Sequence, residues 1–372
     1  MPRSSVSTDA GGPRGPRLAA IGGGSGLSVL LRGLKRMIPP GEPPADRLTA
    51  VVTVTDDGGS SGRLRRELGV LPPGDIRNCL VALADDEDLL ARLFQYRFPN
   101  GVGLTGHSFG NLLLTALTGI TGDFYQAILT AESILSVRGR ILPATLENVR
   151  LTGRGRSGRH YLGETALGGA GEAIEELALE PAAPPAFAAS AEALARADLV
   201  ILGPGSLYTS ILPNLLIPGI RHALEANPAP VVLPLNLMTQ PGETDGMDAL
   251  AHLRAVERHA GPGLVDVVLV NSAPMPAALL ARYAESGAEP VAVDRAAVAA
   301  EGVEVIGAEL LAEGALIRHD PARLADALLA LVPGNDGGGA EPTGSRPEGA
   351  RRRGRRLGGG GPQNRAPAES GP

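Results

Sequence analysis

Short apolar runs rich in Val, Ile and Leu recur along the 372-residue chain, and most break at a glycine, proline or aspartate. They stand at 18–21, 50–55, 199–202, 231–235, 265–270 and 290–293. Between them apolar side chains fall at helical spacing, at 27–37, 75–84, 87–97, 109–118, 123–136, 213–226, 245–260, 276–286 and 321–331. Strands without polar alternation are buried on both faces. Buried strands alternating with helices demand a mostly parallel sheet covered by helices on both sides. The chain therefore predicts an α/β, Rossmann-like fold. Residues 140–180 depart from this pattern: Leu146-Glu147-Asn148-Val149-Arg150-Leu151 alternates, which predicts a small antiparallel strand insertion there.

Residues 1–16 show no periodicity, and 333–372 hold 12 Gly, 6 Pro and 7 Arg with almost no large apolar residue. Neither end can bury enough surface to offset chain entropy, so both are expected to be disordered tails. The Arg-rich run 351–356 reads as a solvated tail. Residues 17–332 are expected to form a single Rossmann-like domain carrying the insertion. The two ends carry +4 together, so this body has net charge −10 against −6 for the whole chain.

Composition removes several functions. Lys35 is the only lysine and no Gly-Lys-Ser/Thr triplet exists, so a Walker loop is excluded; Lys35 is expected on an exposed helix face, which disfavours Schiff-base chemistry. One cysteine excludes a disulfide framework and a Cys-cluster zinc site. Cys79, among Leu80, Val81 and Leu83, reads as a core residue. The six histidines show no zinc spacing, and His252 and His259 are expected on a partly exposed helix face. Ten aromatic residues argue against a base-stacking nucleic-acid platform. No apolar run approaches the roughly 20 residues of a membrane span, and no apolar stretch sits near the N-terminus. A cytoplasmic location is expected.

The first strand runs into Gly22-Gly23-Gly24-Ser25-Gly26 and then a helix. Glycine lets backbone approach a phosphate, and a helix start offers free N–H groups with partial positive charge. With a single lysine, backbone N–H is the obvious anion ligand. The match to G-x-G-x-x-G is incomplete, because Leu27 fills the third glycine position. The second strand ends in Asp56-Asp57-Gly58-Gly59-Ser60-Ser61-Gly62-Arg63. Carboxylates there face the ligand crevice of a parallel sheet. Asp56 and Asp57 read as ligands to a ribose hydroxyl or a Mg2+, or as caps of the next helix. Arg63 is the arginine nearest that loop, and Arg77 and Asn78 orient it or reach the ligand. Leu202-Gly203-Pro204-Gly205-Ser206 repeats the strand–glycine–helix logic, so both loops are expected to border one crevice.

Gly106-His107-Ser108-Phe109-Gly110 matches the G-x-S-x-G elbow of serine hydrolases, with Asp266 and His319 in the right chain order. The elbow needs a core strand before it, and Pro99, Gly101 and Gly103 make a poor one. The stretch is instead expected to cap the following helix. Asn111 lies in an apolar helical run and must find partners, structural or ligand, and His107 beside it caps the helix or meets a phosphate.

The blocks IGGGSGL, VTVTDDGGSSGRLR, PPGDIRNCLVALAD, TGHSFGNLLLTAL, LGPGSLYTSILPNLL and IRHDP appear in order over about 18–331. Together they resemble the bacterial gluconeogenesis-factor family (YvcK-type), within the superfamily of phospholactate transferase (CofD-like). The resemblance implies a nucleotide ligand, chiefly a UDP-sugar such as UDP-N-acetylglucosamine. It also implies a regulatory role in cell shape and morphogenesis and in growth on gluconeogenic carbon, with no established reaction and no required cofactor. Carried over by motif, the ligand-binding residues are Gly22, Gly23, Gly24, Ser25, Gly26, Asp56, Asp57, Arg63, His107, Asn111, Gly203, Gly205, Ser206 and Arg318. The alternative is a Mg-dependent phospholactate-type transferase with a guanylylated donor and a deazaflavin acceptor, in which Asp56 and Asp57 hold the metal. A protein partner in cell-wall or carbon-metabolism regulation and a homo-oligomer are both compatible with the family.

Overall fold

The computed structural model describes residues 15–39, 47–85 and 89–334. The tails expected at 1–16 and 333–372 fall almost wholly outside the described residues. Seven strands form one parallel sheet: β1 (Leu18–Gly22), β2 (Leu48–Val52), β3 (Arg140–Pro143), β7 (Leu199–Leu202), β8 (Val231–Pro234), β9 (Val267–Asn271) and β10 (Glu304–Ala308). Their order is β10-β9-β8-β7-β1-β2-β3. A second, antiparallel sheet has the order β5-β4-β6, from β4 (Arg150–Gly155), β5 (His160–Leu162) and β6 (Ile174–Glu180). This is the Rossmann-like α/β plan with an antiparallel insertion.

The central strands pack on both sides. In β1, Ala19 and Ile21 enter one core while Leu18 and Ala20 enter the other. The first core takes in the small sheet and the helices of 188–260. The second is covered by α1 (Gly24–Leu34), α3 (Gly74–Leu83) and the helix Pro321–Leu329. Helix α2 (Gly59–Leu68) follows the acidic loop. Over α3 lies an outer layer of α4 (Leu89–Gln95), α5 (Phe109–Thr121) and α6 (Phe124–Leu135), each in contact with it.

Four expectations need correction. The run 290–293 is not a strand: only an isolated bridge joins Pro290 to Met238, and Pro has no N–H to donate to a ladder. The seventh strand is β10, an edge strand whose half-exposed residues do not make a continuous apolar run. The helix expected at 213–226 is divided into a short turn (Leu212–Leu215), preceded by a π-turn (Leu207–Ile211), and Pro218–Ala226, because Pro218 cannot continue the hydrogen-bond ladder and instead starts a new helix. The insertion begins at Arg150, since β3 pairs in parallel with β2.

Two side chains also sit differently. His252 is buried and half-buried His259 bonds back to the Ala255 carbonyl, so their helix face turns inward. Lys35 is half-buried and donates from Nζ to the Ala84 carbonyl at the end of α3 (3.1 Å), where a cation meets the negative end of the helix.

Candidate functional site

The chain moves outward from β1 through β2 to β3, then returns on the other side of β1 through β7 to β10. Strand order reverses between β1 and β7, and in open parallel sheets such a point opens a crevice beyond the C-terminal strand ends. The two strands end level, because Gly203 N donates to Ile21 O at 2.8 Å. Both glycine loops therefore leave the sheet side by side.

Their backbones touch. A side chain at Gly26 would overlap the Pro204 carbonyl, and its Cβ would stand 2.8 Å from Gly205 Cα. Gly24 opens α1 at φ +63°, a left-handed conformation that glycine adopts without strain. Asn236, just past β8, clamps the second loop: Oδ1 accepts from Gly205 N (3.3 Å) and Nδ2 donates to Gly205 O (2.8 Å). Gln240 Nε2 donates to Ser206 Oγ at 2.8 Å. Glu243 accepts the N–H groups of Tyr208 (2.7 Å) and Thr209 (3.2 Å), which start the π-turn after the loop.

A cavity of about 480 Å3 lies between the loops. Gly23 to Gly26, Gly205, Ser206, Asn236, Gln240, Tyr283, Arg318 and His319 are among its lining residues. No Asp or Glu lines it, and Arg318 supplies positive charge. Burial pushes the His319 imidazole down to about 4, so that ring is neutral near pH 7.

Behind the first loop lies a different environment. Asp75, at the start of α3, accepts the Gly24 N–H, and burial together with Asp56 raises its carboxyl to about 7. Gly23 has no room for a side chain, whose Cβ would overlap the Asp75 carboxylate. Glu164 is raised further, to about 9, by burial and then by Asp75, Asp56, Asp57 and Glu243; its Oε2 is enclosed without a hydrogen-bond partner. Buried Arg77 donates from Nη1 to Ser108 Oγ (2.6 Å) and Asn111 Oδ1 (3.0 Å), and from Nη2 to Asn78 Oδ1 (2.7 Å). Asn111 Nδ2 reaches Ser60 Oγ at 3.1 Å, and Ser60 Oγ lies 2.9 Å from His107 Nδ1. These bonds tie the starts of α2 and α5 together through α3.

The crevice thus gathers Gly23, Gly24, Ser25, Gly26, Gly205, Ser206 and Arg318. Gly22 closes β1, and Gly203, at φ +85°, makes the turn after β7. The remaining expected residues do not line the cavity. Asp56 Oδ1 accepts from Gly58 N (2.9 Å), and Asp57 Oδ1 accepts from Thr165 N (2.9 Å) and Oγ1 (2.7 Å). Arg63 Nη2 donates to Thr105 O at 2.7 Å. His107 and Asn111 belong to the Arg77 network. Ser108 caps α5, its Oγ accepting Asn111 N at 3.3 Å, and no strand precedes it, as the sequence of the segment implies. Cys79 is fully buried.

Sequence reading missed Asn236, Gln240, Tyr283, Asp75 and Glu164. The first two had a signal, being polar amides just past a predicted strand on the crevice side. Asp75 reads in sequence as an ordinary helix-start carboxylate. Tyr283 and Glu164 come from distant segments without motifs. Among the described residues no group of three or more His, Cys, Asp and Glu is placed to hold a metal ion. Asp56 Oδ1 serves its own turn, whereas Asp57 Oδ1 is taken by Thr165, 108 positions away.

Fold and crevice define an α/β protein with two abutting glycine loops at a topological switch point. A family model described as 2-phospho-L-lactate transferase CofD matches residues 18–311. The gluconeogenesis factor of Halalkalibacterium halodurans is 47% identical over 313 residues, 84% of this chain and 95% of its own. That of Bacillus subtilis is 46% identical over 318 residues, 85% and 98% of the two chains. The crystal structure of a Bacillus halodurans protein superposes with TM-score 0.80 at 46% identity, covering 85% of this chain and all of that one. The chain belongs to the CofD family, on the branch of the gluconeogenesis factors. Among the described residues no helix is long and apolar enough to cross a membrane.

Proposed function

We propose that the crevice binds a nucleotide sugar of the UDP-N-acetylglucosamine class by its diphosphate, and that the protein acts as a cytoplasmic regulator rather than by turnover. The lining carries the reading: two glycine loops, the start of α1, Arg318 and no carboxylate. Such a surface offers donors to an anion and repels none of its charge. The volume of about 480 Å3 lies within the roughly 300–1,000 Å3 usual for small-ligand sites. Asn236, Gln240 and Tyr283 supply neutral polar groups for sugar or base. The output, in keeping with relatives named for gluconeogenesis, would be control of carbon use and of cell shape through a protein partner.

Thermal shift with a nucleotide panel tests this. Ligand at 100 times its Kd stabilises the native state by about 2.7 kcal/mol. UDP-N-acetylglucosamine should raise Tm, and Arg318→Ala should weaken its binding about tenfold or more. A shift with GDP or GTP and none with UDP-sugars would replace this reading with the second one. That reading is the transferase chemistry in the family's description, which matches 18–311.

A further inference from the structure

From Leu89 to Gly122 the chain holds no Asp or Glu, on a body of net charge −10. Within that stretch a loop between α4 and α5 carries an apolar tip. Val102 is fully exposed, and Leu104 beside it and Tyr96 at the base of the loop are also exposed. The tip is not slack. Phe98 N donates to His107 O (2.9 Å) and Gly106 N donates to Phe98 O (2.8 Å), which closes the base. Inside, Gly101 O accepts from Leu104 N (3.2 Å), Thr105 N (3.1 Å) and Thr105 Oγ1 (2.8 Å). Gly103 turns the tip at φ +78°, with open space where a Cβ would stand. A loop ordered by its own bonds displays its valine without a further entropy cost on contact.

Behind the tip the rings of Tyr96 and Phe98 meet edge to face, with centroids 5.2 Å apart. Two arginines grip the same base: Arg63 Nη2 donates to Thr105 O (2.7 Å), and Arg97 Nη1 donates to Gly106 O (2.9 Å). Their charges are thus held beside the tip. Arg66 and Glu67 are exposed on α2, and Arg92 is exposed on α4. The acidic run Asp85-Asp86-Glu87-Asp88 precedes Leu89, at the end of α4 away from this loop, about 9 Å back along the helix axis.

We propose that the 96–108 loop docks the protein on an anionic lipid surface, with Val102 and Leu104 entering the bilayer interface. This inference is independent of the ligand reading. The order of groups along the loop carries it: an apolar tip, then an aromatic pair, then arginine. A bilayer presents hydrocarbon, interface and phosphate in the same order, and aromatic rings and arginines settle at the last two levels. Charge points the same way. An anionic surface attracts arginines and repels a body of net charge −10, so the protein can approach it only by an end that carries cations and no carboxylate at the tip. A soluble partner would need a pocket cut to one valine. A headgroup layer yields around any narrow apolar tip.

Co-sedimentation of the full chain with vesicles tests the proposal. Wild type should pellet with vesicles of phosphatidylglycerol and phosphatidylcholine, less so as salt rises, and stay in solution with phosphatidylcholine alone. Val102→Asp should lower the partition coefficient about tenfold or more. Arg97→Gln keeps a donor for Gly106 O and removes the charge, and should lower it about fivefold. Both variants should keep the circular dichroism spectrum of wild type. Leu162→Asp, at an exposed leucine on β5, should bind as wild type does. The chain has no tryptophan, so Val102→Trp reports from the tip alone, and its emission should shift to the blue on the anionic vesicles. A wild type that does not pellet with them overturns the proposal, including one that instead captures a soluble acidic protein through this loop. So does binding that survives Val102→Asp while the Val102→Trp emission stays unshifted, which would assign the contact to the Arg-rich run 351–356.

Discussion

The two sides of Gly23 differ as sharply as any two regions of the molecule. In front, the crevice is open, lined by backbone, uncharged side chains and Arg318, and free of carboxylates. Behind, Asp56, Asp75 and Glu164 crowd together, and Arg77, Ser60, Ser108 and Asn111 interlock through hydrogen bonds. The back has few polar groups left over, and its bonds run between α2, α3 and α5. The front includes the first turn of α1, whose N–H groups have no partner within the helix. One glycine separates the two, because only a residue without a side chain lets Asp75 lie against the loop. On the proposed reading, holding the loop's shape and contacting the ligand fall to opposite faces of the same five residues.

The front is the easier side to break. Gly26→Ala puts a methyl group into the Pro204 carbonyl and forces the glycine loops apart. Overpacking costs about 1–3 kcal/mol in stability, but the crevice itself is lost, so the nucleotide-induced shift should vanish while the chain stays folded. Retained binding would show that the abutting loops do not form the anion site. The back should respond in the opposite sense. Arg77→Met leaves Ser108, Asn111 and Asn78 without their shared donor. Removing one member of a buried charged network costs about 3 kcal/mol, or roughly 4–5 °C in Tm at about 2.1 cal/mol/K of unfolding entropy per residue. Ligand affinity per folded molecule should change little, as calorimetry well below the new Tm would report. A large loss of affinity with an unchanged Tm would assign Arg77 to the front.

How much of this was legible follows the same division. The loops at 22–26 and 203–206 are local in sequence, and their strand–glycine–helix context carries its own physical meaning. So does the parallel sheet, read from uninterrupted Val, Ile and Leu runs. The acidic loop is less legible: strand-end carboxylates commonly face a ligand, whereas Asp57 Oδ1 bonds Thr165, 108 positions away, a pairing that no local pattern announces. Asn111 reads in sequence as needing a partner, and Arg77 from α3 supplies the network that it and His107 join. β10 escaped because an edge strand is not required to be apolar throughout.

The smallest effect separates the sides by pH. Glu164 titrates near 9 in the folded chain against about 4.5 unperturbed, and Asp75 near 7 against 3.8. Between the ordinary and the raised values the unfolded chain has lost protons that the folded chain keeps. The unfolded state then binds fewer protons, so these groups make stability fall as pH rises, from about 4 to 7 for Asp75 and onward to about 9 for Glu164. Glu164→Gln keeps the shape and removes the charge, and Oε2 has no hydrogen bond to lose. The variant should melt higher than wild type by about 2–4 °C at pH 8, with little difference at pH 5. Scanning calorimetry at the two pH values reads this directly. A variant that melts lower than wild type at pH 8 would mean that the Glu164 carboxylate is held charged by a partner, and that the back of the loop takes part in binding after all.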